Sequence, residues 1–353
     1  MTAGKTRVLV VEDSLTVRRR ICDVLSADEG LVVIAEAEDG RRAIELCQEL
    51  RPDVVTMDMM LPGLTGLAAT EYIMAYCPTP ILIVSSSLNR GELFRTYDAL
   101  AAGAVDGLDK PLGDEPEGDW ERRLVAAVKL VARIRVITHP RARLRSVTRP
   151  TEAPPIIIEG GDREHDVVAI GASTGGPGAL AEILRALPAD YPIPVLIVLH
   201  LGEPFGTALA EWLDGQSRLA ISYATEGEPI RGRRGVALLA PPGAHLSVRG
   251  GRAHLTADPP RHSCRPSVDV LFESVAREHG PHAAGFLLTG MGKDGAKGLL
   301  EMRHAGSLTV AQDERTSVVY GMPREAVLIG AAERQLPLDA IVAMIASLKT
   351  AET

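Results

Sequence analysis

From Arg7 onward, short aliphatic runs alternate with stretches in which apolar residues recur every three to four positions. The runs are RVLVVED, LVVIAEAE, DVVTMD, ILIVSSS and AVDGLDKP, and RRAIELCQEL typifies the stretches between them. Brief continuous apolar runs predict strands covered on both faces, and the 3.6-residue period predicts the helices that cover them. Five such units predict an α/β domain over residues 1–130 with a parallel sheet, closed by a helix near Trp120 to Arg135.

The pattern then breaks. Six arginines and no acid lie between Arg133 and Arg149, followed by Pro154, Pro155 and the Gly160–Gly161 pair. Such a segment has little to bury and reads as a basic, proline-containing linker over residues 131–164. Alternation resumes at Asp166 with DVVAIGAS, PVLIVLH, RRGVALLAP, HLSVRGGRAHLT and AAGFLLTG as strands and helical stretches between most of them. A hairpin-like turn is expected at Gly250–Gly251. The second domain, residues 165–350, is therefore expected to be doubly wound, mostly parallel α/β with a β-hairpin insertion.

Composition narrows the chemistry. Across 353 residues, 38 basic against 46 acidic side chains leave a net charge of −8. That balance offers no general attraction to phosphate backbones. Aromatics make up 3% of the chain, too few for base-stacking platforms, so nucleic acid is not an expected partner. No run reaches the ~18 apolar residues of a membrane span, and no cleavable leader pattern opens the chain, so membrane insertion is not expected. Cys22, Cys47, Cys77 and Cys264 show no metal or disulfide spacing and read as scattered small hydrophobes in a reducing compartment, with a cytoplasmic location expected.

In parallel α/β sheets the ligand crevice lies beyond the carboxyl ends of the strands. In the first domain those ends carry Glu12 and Asp13, Asp58, Ser85 and Lys110. Three carboxylates gathered there repel one another unless a hard cation such as Mg²⁺ sits among them. With a hydroxyl and an ammonium added, the set suits transfer of a phosphoryl group onto a carboxylate. Any one of these residues alone reads more readily as a helix cap or solvated charge; it is their joint placement at successive strand ends that favours the phosphoryl chemistry.

In the second domain, DVVAIGAS runs into Gly171-Ala-Ser173-Thr-Gly175-Gly176-Pro177, a G-x-S-x-G string at a strand-to-helix turn. It fits a serine nucleophile, and it fits a phosphate-cradling glycine loop equally well. His200 ends the next strand, although a lone strand-end histidine is often structural. Asp294 follows AAGFLLTG and could simply cap the next helix. Taken together they form a candidate serine triad, with backbone N–H groups near Thr174 and Met291 as oxyanion donors. The order Ser, His, Asp differs from that of ordinary α/β hydrolases.

Two resemblances draw these features together. Residues 1–130 resemble the receiver domain of bacterial response regulators, a five-stranded flavodoxin-like fold. That implies Asp58 as phosphoacceptor, Mg²⁺ held by Glu12, Asp13, Asp58 and the Met60 carbonyl, and phosphoryl contacts from Ser85 and Lys110. Receivers often carry an aromatic three residues before the lysine; here it is Gly107, so the switch is expected to run without it. The strings GASTGGP, GMGKDGA, RPSVDVLF and VVYGMPREAV resemble the chemotaxis protein-glutamate methylesterase family, CheB. The resemblance implies the triad Ser173, His200 and Asp294, acting on glutamyl methyl esters, and often on glutamines, of chemoreceptor cytoplasmic helices. A chemotaxis histidine kinase is the implied phosphodonor. The catalytic domain needs no cofactor. The family usually reads QHM around the histidine, where this chain has Leu199-His200-Leu201. Arg265, Asp269, Tyr320 and Arg324 either bind substrate or lock the fold. The competing function is an adaptor whose second domain binds a partner without catalysis.

Overall fold

The computed structural model describes residues 4–86, 90–111, 116, 118–134, 136, 163–201 and 205–350. The chain divides into two compact units, Met1–Arg149 and Pro150–Thr353. Most of the expected linker, 131–164, lies outside the described residues.

The first unit alternates β1 (Thr6–Val11), α1 (Leu15–Ser26), β2 (Leu31–Ala37), α2 (Gly40–Leu50), β3 (Val54–Met57), α3 (Gly66–Tyr76), β4 (Ile81–Ser85), α4 (Arg90–Ala101), β5 (Asp106–Asp109) and α5 (Asp119–Val131). The strands order as β2-β1-β3-β4-β5, and every pairing is parallel. This is the five-fold repeat the pattern predicts. All four residues of β3 and all five of β4 are buried, because helices cover both faces and leave no polar side to the sheet. Local signals set the helix ends: the Asp39 carboxylate accepts from Arg42 N at 2.8 Å ahead of α2, and Thr65 does the same for Ala68 ahead of α3. Because β1 is flanked by β2 and β3, chain direction across the sheet reverses there, and a crevice opens beyond Val11 and Met57.

The second unit runs β6 (Glu164–His165), β7 (Val167–Ala172), α6 (Gly176–Ala186), β8 (Val195–Leu199), α7 (Leu209–Asp214), β9 (Ala220–Tyr223), β10 (Val236–Leu239), β11 (His245–Arg249), β12 (Arg252–Thr256), α8 (Val268–His279), β13 (Ala283–Leu287), α9 (Ala296–His304), β14 (Leu308–Gln312), α10 (Met322–Leu328), β15 (Arg334–Leu336), α11 (Leu338–Ser347) and β16 (Lys349–Thr350). Seven strands form one parallel sheet, β15-β14-β13-β7-β8-β10-β9. The antiparallel β11–β12 hairpin turns at Gly250 and Gly251, with φ of 57° and 69°, as the glycine pair predicts. Four short elements, the edge strands β9 and β15 and the small β6–β16 pair, escape the pattern, being partly exposed and weak in apolar signal, and the buried interior strand β14 is also absent from the predicted strands. β7 and β13 are fully buried and pair from Ala283↔Val167 to Leu287↔Gly171. With β8 on the other side of β7, three strand ends converge on one rim.

Candidate active site and phosphoacceptor pocket

In the first unit the crevice gathers the predicted residues. Glu12 follows β1 and Asp58 follows β3, and both are buried, as is Ser85 at the end of β4. Lys110, just past β5, places its Nζ 2.8 Å from Glu12 Oε2 and 3.0 Å from Asp58 Oδ2. One oxygen from each of Glu12, Asp13 and Asp58 lies within 4.8 Å of the others. Asp58 Oδ1 and Ser85 Oγ are buried without a hydrogen-bond partner. Buried polar atoms are rarely orphaned, so these two point to a group from outside the chain. An all-oxygen set of this kind fits Mg²⁺. Burial and the Asp58 charge push the Glu12 carboxyl above its ordinary range, against the opposing pull of Lys110. Burial lowers the Lys110 ammonium, but Asp58 and Glu12 outweigh it and hold the group above its usual value. Gly107 lies within β5 and pairs with Ile83.

In the second unit, Ser173 leaves β7 at a turn closed by Gly176 N to Ser173 O at 2.7 Å. The two glycines of the motif serve different ends. Gly175 sits at φ 79° and starts α6, a left-handed conformation that favours glycine. Gly171 is extended, and a Cβ there would lie 2.2 Å from Val268 Cγ1, so it admits the first turn of α8 instead of shaping the serine turn. His200 N donates to Ala172 O at 3.0 Å, which sets the histidine beside the serine on the neighbouring strand end. Gly290 closes the third side, since a Cβ there would fall 2.8 Å from Ser173 Cβ.

Asp294 organises the rim. It is 2% exposed. Its Oδ2 accepts from His200 Nε2 at 2.8 Å and Val268 N at 2.7 Å; its Oδ1 accepts from Ser267 Oγ at 2.8 Å and Asp269 N at 3.2 Å. The capping reading was thus right in kind and wrong in place: Asp294 caps α8, across the rim, and orients His200 as well. The positive end of α8 adds to the site's preference for a carboxylate. Burial pushes the Asp294 carboxyl upward, but hydrogen bonds from His200, Ser267 and Val268 hold it below its ordinary value. Burial also lowers the His200 imidazole, and the Asp294 and Cys264 partners more than reverse this, raising it to about 9.

With Nε2 bound to Asp294, Nδ1 is the imidazole nitrogen that does not face the carboxylate. Among the described residues Ser173 Oγ has no hydrogen-bond partner, so the serine-to-histidine contact is not made in this conformation. Thr174 and Met291, whose N–H groups are the oxyanion candidates, follow Ser173 and Gly290 on this rim. Cys264, counted by its spacing among scattered hydrophobes, instead places Sγ 3.7 Å from His200 Nδ1. Sequence reasoning missed this, because nothing in spacing shows that the loop before RPSVD folds back onto the histidine. It also missed Ser267, although that residue lies within the RPSVD string.

Among the other candidates, Asp269 is a fold lock: it is fully buried and accepts from Gly298 N at 2.7 Å and faces His262 at 3.2 Å. Arg265 is tied to the Ala257 and Asp258 carbonyls, and Tyr320 OH accepts from Gln335 Nε2 at 2.6 Å. Arg324 is exposed.

Residues 168–345 match the family described as CheB methylesterase, and residues 8–117 match the response regulator receiver domain. A protein of Anaeromyxobacter dehalogenans named protein-glutamate methylesterase/protein-glutamine glutaminase 2 is 44% identical over 336 residues, covering 95% of this chain and 94% of its own. One of Myxococcus xanthus, bearing the same name with the number 4, is 44% identical over 329 residues, covering 92% and 91%. The crystal structure of the Thermotoga maritima CheB methylesterase catalytic domain aligns with 52% of this chain and 98% of its own, at 33% identity and a TM-score of 0.49. With one rim carrying serine, histidine and aspartate, an acidic pocket on the other unit, and relatives matched over nearly their whole length, the chain belongs to the CheB family of methylesterases that carry a response-regulator receiver domain.

Proposed function

We propose that this protein is a phosphorylation-regulated protein-glutamate methylesterase, hydrolysing glutamyl methyl esters on chemoreceptor cytoplasmic helices, with glutamine deamidation as a second reaction of the same site. The observation that carries the reading is the His200–Asp294 pair at 2.8 Å beside the Ser173 turn. Ser173 Oγ attacks the ester carbonyl as its proton passes to His200 Nδ1, and Thr174 and Met291 N–H groups receive the oxyanion. The C–O bond to methanol breaks and His200 returns the proton to the leaving oxygen. Water, deprotonated by the same nitrogen, then releases the glutamate. A glutamine side chain follows the same course with ammonia leaving.

In the receiver, Asp58 is the acceptor: a carboxylate oxygen attacks phosphorus, and the P–N bond to the histidine kinase's phosphohistidine breaks. Glu12, Asp13 and Asp58 would hold Mg²⁺, which would screen the charge of these carboxylates. Lys110 and Ser85 take the phosphoryl oxygens. No described helix is long and apolar enough to cross a membrane. The test is methanol release from methylated receptor: wild type releases it, and a folded Ser173→Ala protein releases none. Release by that variant at the wild-type rate would overturn the esterase reading.

A further inference from the structure

The esterase chemistry leaves one reactive side chain unused at its centre. Cys264 is a free, partly exposed thiol whose Sγ lies 3.7 Å from His200 Nδ1, the nitrogen that serves as base. A tight turn places it there. Arg261 N donates to Cys264 O at 3.1 Å and Cys264 N to Arg261 O at 2.8 Å, while His262 and Ser263 between them take φ of 51° and 64°. Two successive non-glycine residues in the left-handed region are uncommon, and such backbone concentrates at functional sites.

The spacing matches a metal bite. Zn²⁺ bonds sulfur at ~2.3 Å and imidazole nitrogen at ~2.0–2.1 Å, so two tetrahedral ligands of these kinds stand about 3.6 Å apart. The other imidazole nitrogen donates to Asp294 Oδ2, the carboxylate backing that orients metal-binding histidines. A ligand atom from each of His200, Cys264 and Asp294 lies within 4.8 Å of the other two. Nearby cations are engaged elsewhere: Arg261 forms a two-pronged pair with Glu273 at 2.8 and 2.7 Å, and Arg265 is bound to backbone carbonyls.

We propose that Cys264 Sγ and His200 Nδ1 form an inhibitory site for a thiophilic divalent cation such as Zn²⁺, a reading that rests on His200 acting as the catalytic base. On binding, the Cys264 thiol releases its proton to solvent and the thiolate and imidazole lone pairs bond the metal, with water completing the coordination. The lone pair that would take the Ser173 proton is then occupied. Ester hydrolysis stops without any change at Ser173.

The experiment uses the full chain, stripped with EDTA in reducing buffer, exchanged, and held at one pH. Zn²⁺ is titrated against methanol release, and Cd²⁺ alone is titrated against the ultraviolet cadmium–thiolate charge-transfer band. The expected result is inhibition reversed by EDTA and a Cd²⁺ band saturating at one ion per chain, with the Zn²⁺ inhibition shifted at least tenfold to higher metal and the Cd²⁺ band lost in Cys264→Ser. Cys264→Ala is the second variant, with circular dichroism checking the fold of each. Equal Zn²⁺ sensitivity in wild type and both variants overturns the proposal, as does a Cd²⁺ band unchanged in Cys264→Ser. Failure of the metal-free protein to release methanol would overturn the esterase reading instead, with the Cd²⁺ band still reporting on the site.

Discussion

Replacing Asp294 by asparagine separates the two duties this carboxylate performs. It accepts four hydrogen bonds, two at each oxygen, and two of the four come from backbone N–H groups at the start of α8. An amide keeps one accepting oxygen. The least damaging orientation puts its NH₂ where Oδ1 was, because the Ser267 hydroxyl can turn to accept, leaving only Asp269 N–H without a partner. One buried donor left unsatisfied costs about 1–3 kcal/mol. Weakening of the charge-to-helix interaction adds roughly 0.3–1 kcal/mol. The expected loss of stability is therefore about 1–4 kcal/mol, read as a shift in the midpoint of denaturant unfolding. Catalysis should fall much further: in that orientation the amide oxygen still accepts from His200 Nε2, but a neutral amide no longer stabilises the imidazolium with a negative charge, and in serine triads this substitution costs ~10⁴-fold in kcat. The assay is methanol release per folded molecule at a temperature where both proteins are fully folded. An Asn variant that loses the predicted stability yet turns over at the wild-type rate would refute the assignment of Asp294 to His200 and leave it a helix cap alone.

Four further outcomes follow from the same geometry. Phosphodonor labelling in the presence of Mg²⁺ should mark Asp58 and vanish in Asp58→Asn or after Mg²⁺ removal, read by rapid trapping and mass spectrometry; undiminished label in Asp58→Asn would name another acceptor. Ester hydrolysis should rise with pH as His200, raised to about 9 by Asp294 and Cys264, loses its proton. Because that folded-state value lies above the ~6.5 of an unfolded histidine, the His200 contribution to stability is complete below about 6.5 and lost as pH climbs toward 9. Activity and stability should thus move in opposite directions across this window, and a flat activity profile would count against His200 as base. Gly290→Ala should destabilise the rim by roughly 1–3 kcal/mol, since its Cβ would meet Met322 Sδ at 2.4 Å and Ser173 Cβ at 2.8 Å, with thermal unfolding as the measure.

Much of this protein was legible in one dimension. Continuous apolar runs such as DVVTMD and PVLIVLH announced buried parallel strands, because strands covered by helices on both faces have no polar side to display. Parallel strands, in turn, oblige Glu12, Asp58, Ser85 and Lys110, or Ser173 and His200, to emerge on one edge wherever they end their strands. Strand order was not legible, since apolar periodicity carries no information about which strand lies beside which. Short edge strands such as Arg334–Leu336 escaped because half-exposed residues need no apolar pattern. The contacts that set the chemistry depended on the tertiary structure alone. Asp294 and Ser267 lie 27 residues apart, and Cys264 and His200 lie 64 apart. Folding brings each pair together through the packing of α8 and its preceding loop against the rim. It also decided which imidazole nitrogen is committed to Asp294, a choice of side-chain direction that residue identity and spacing do not encode.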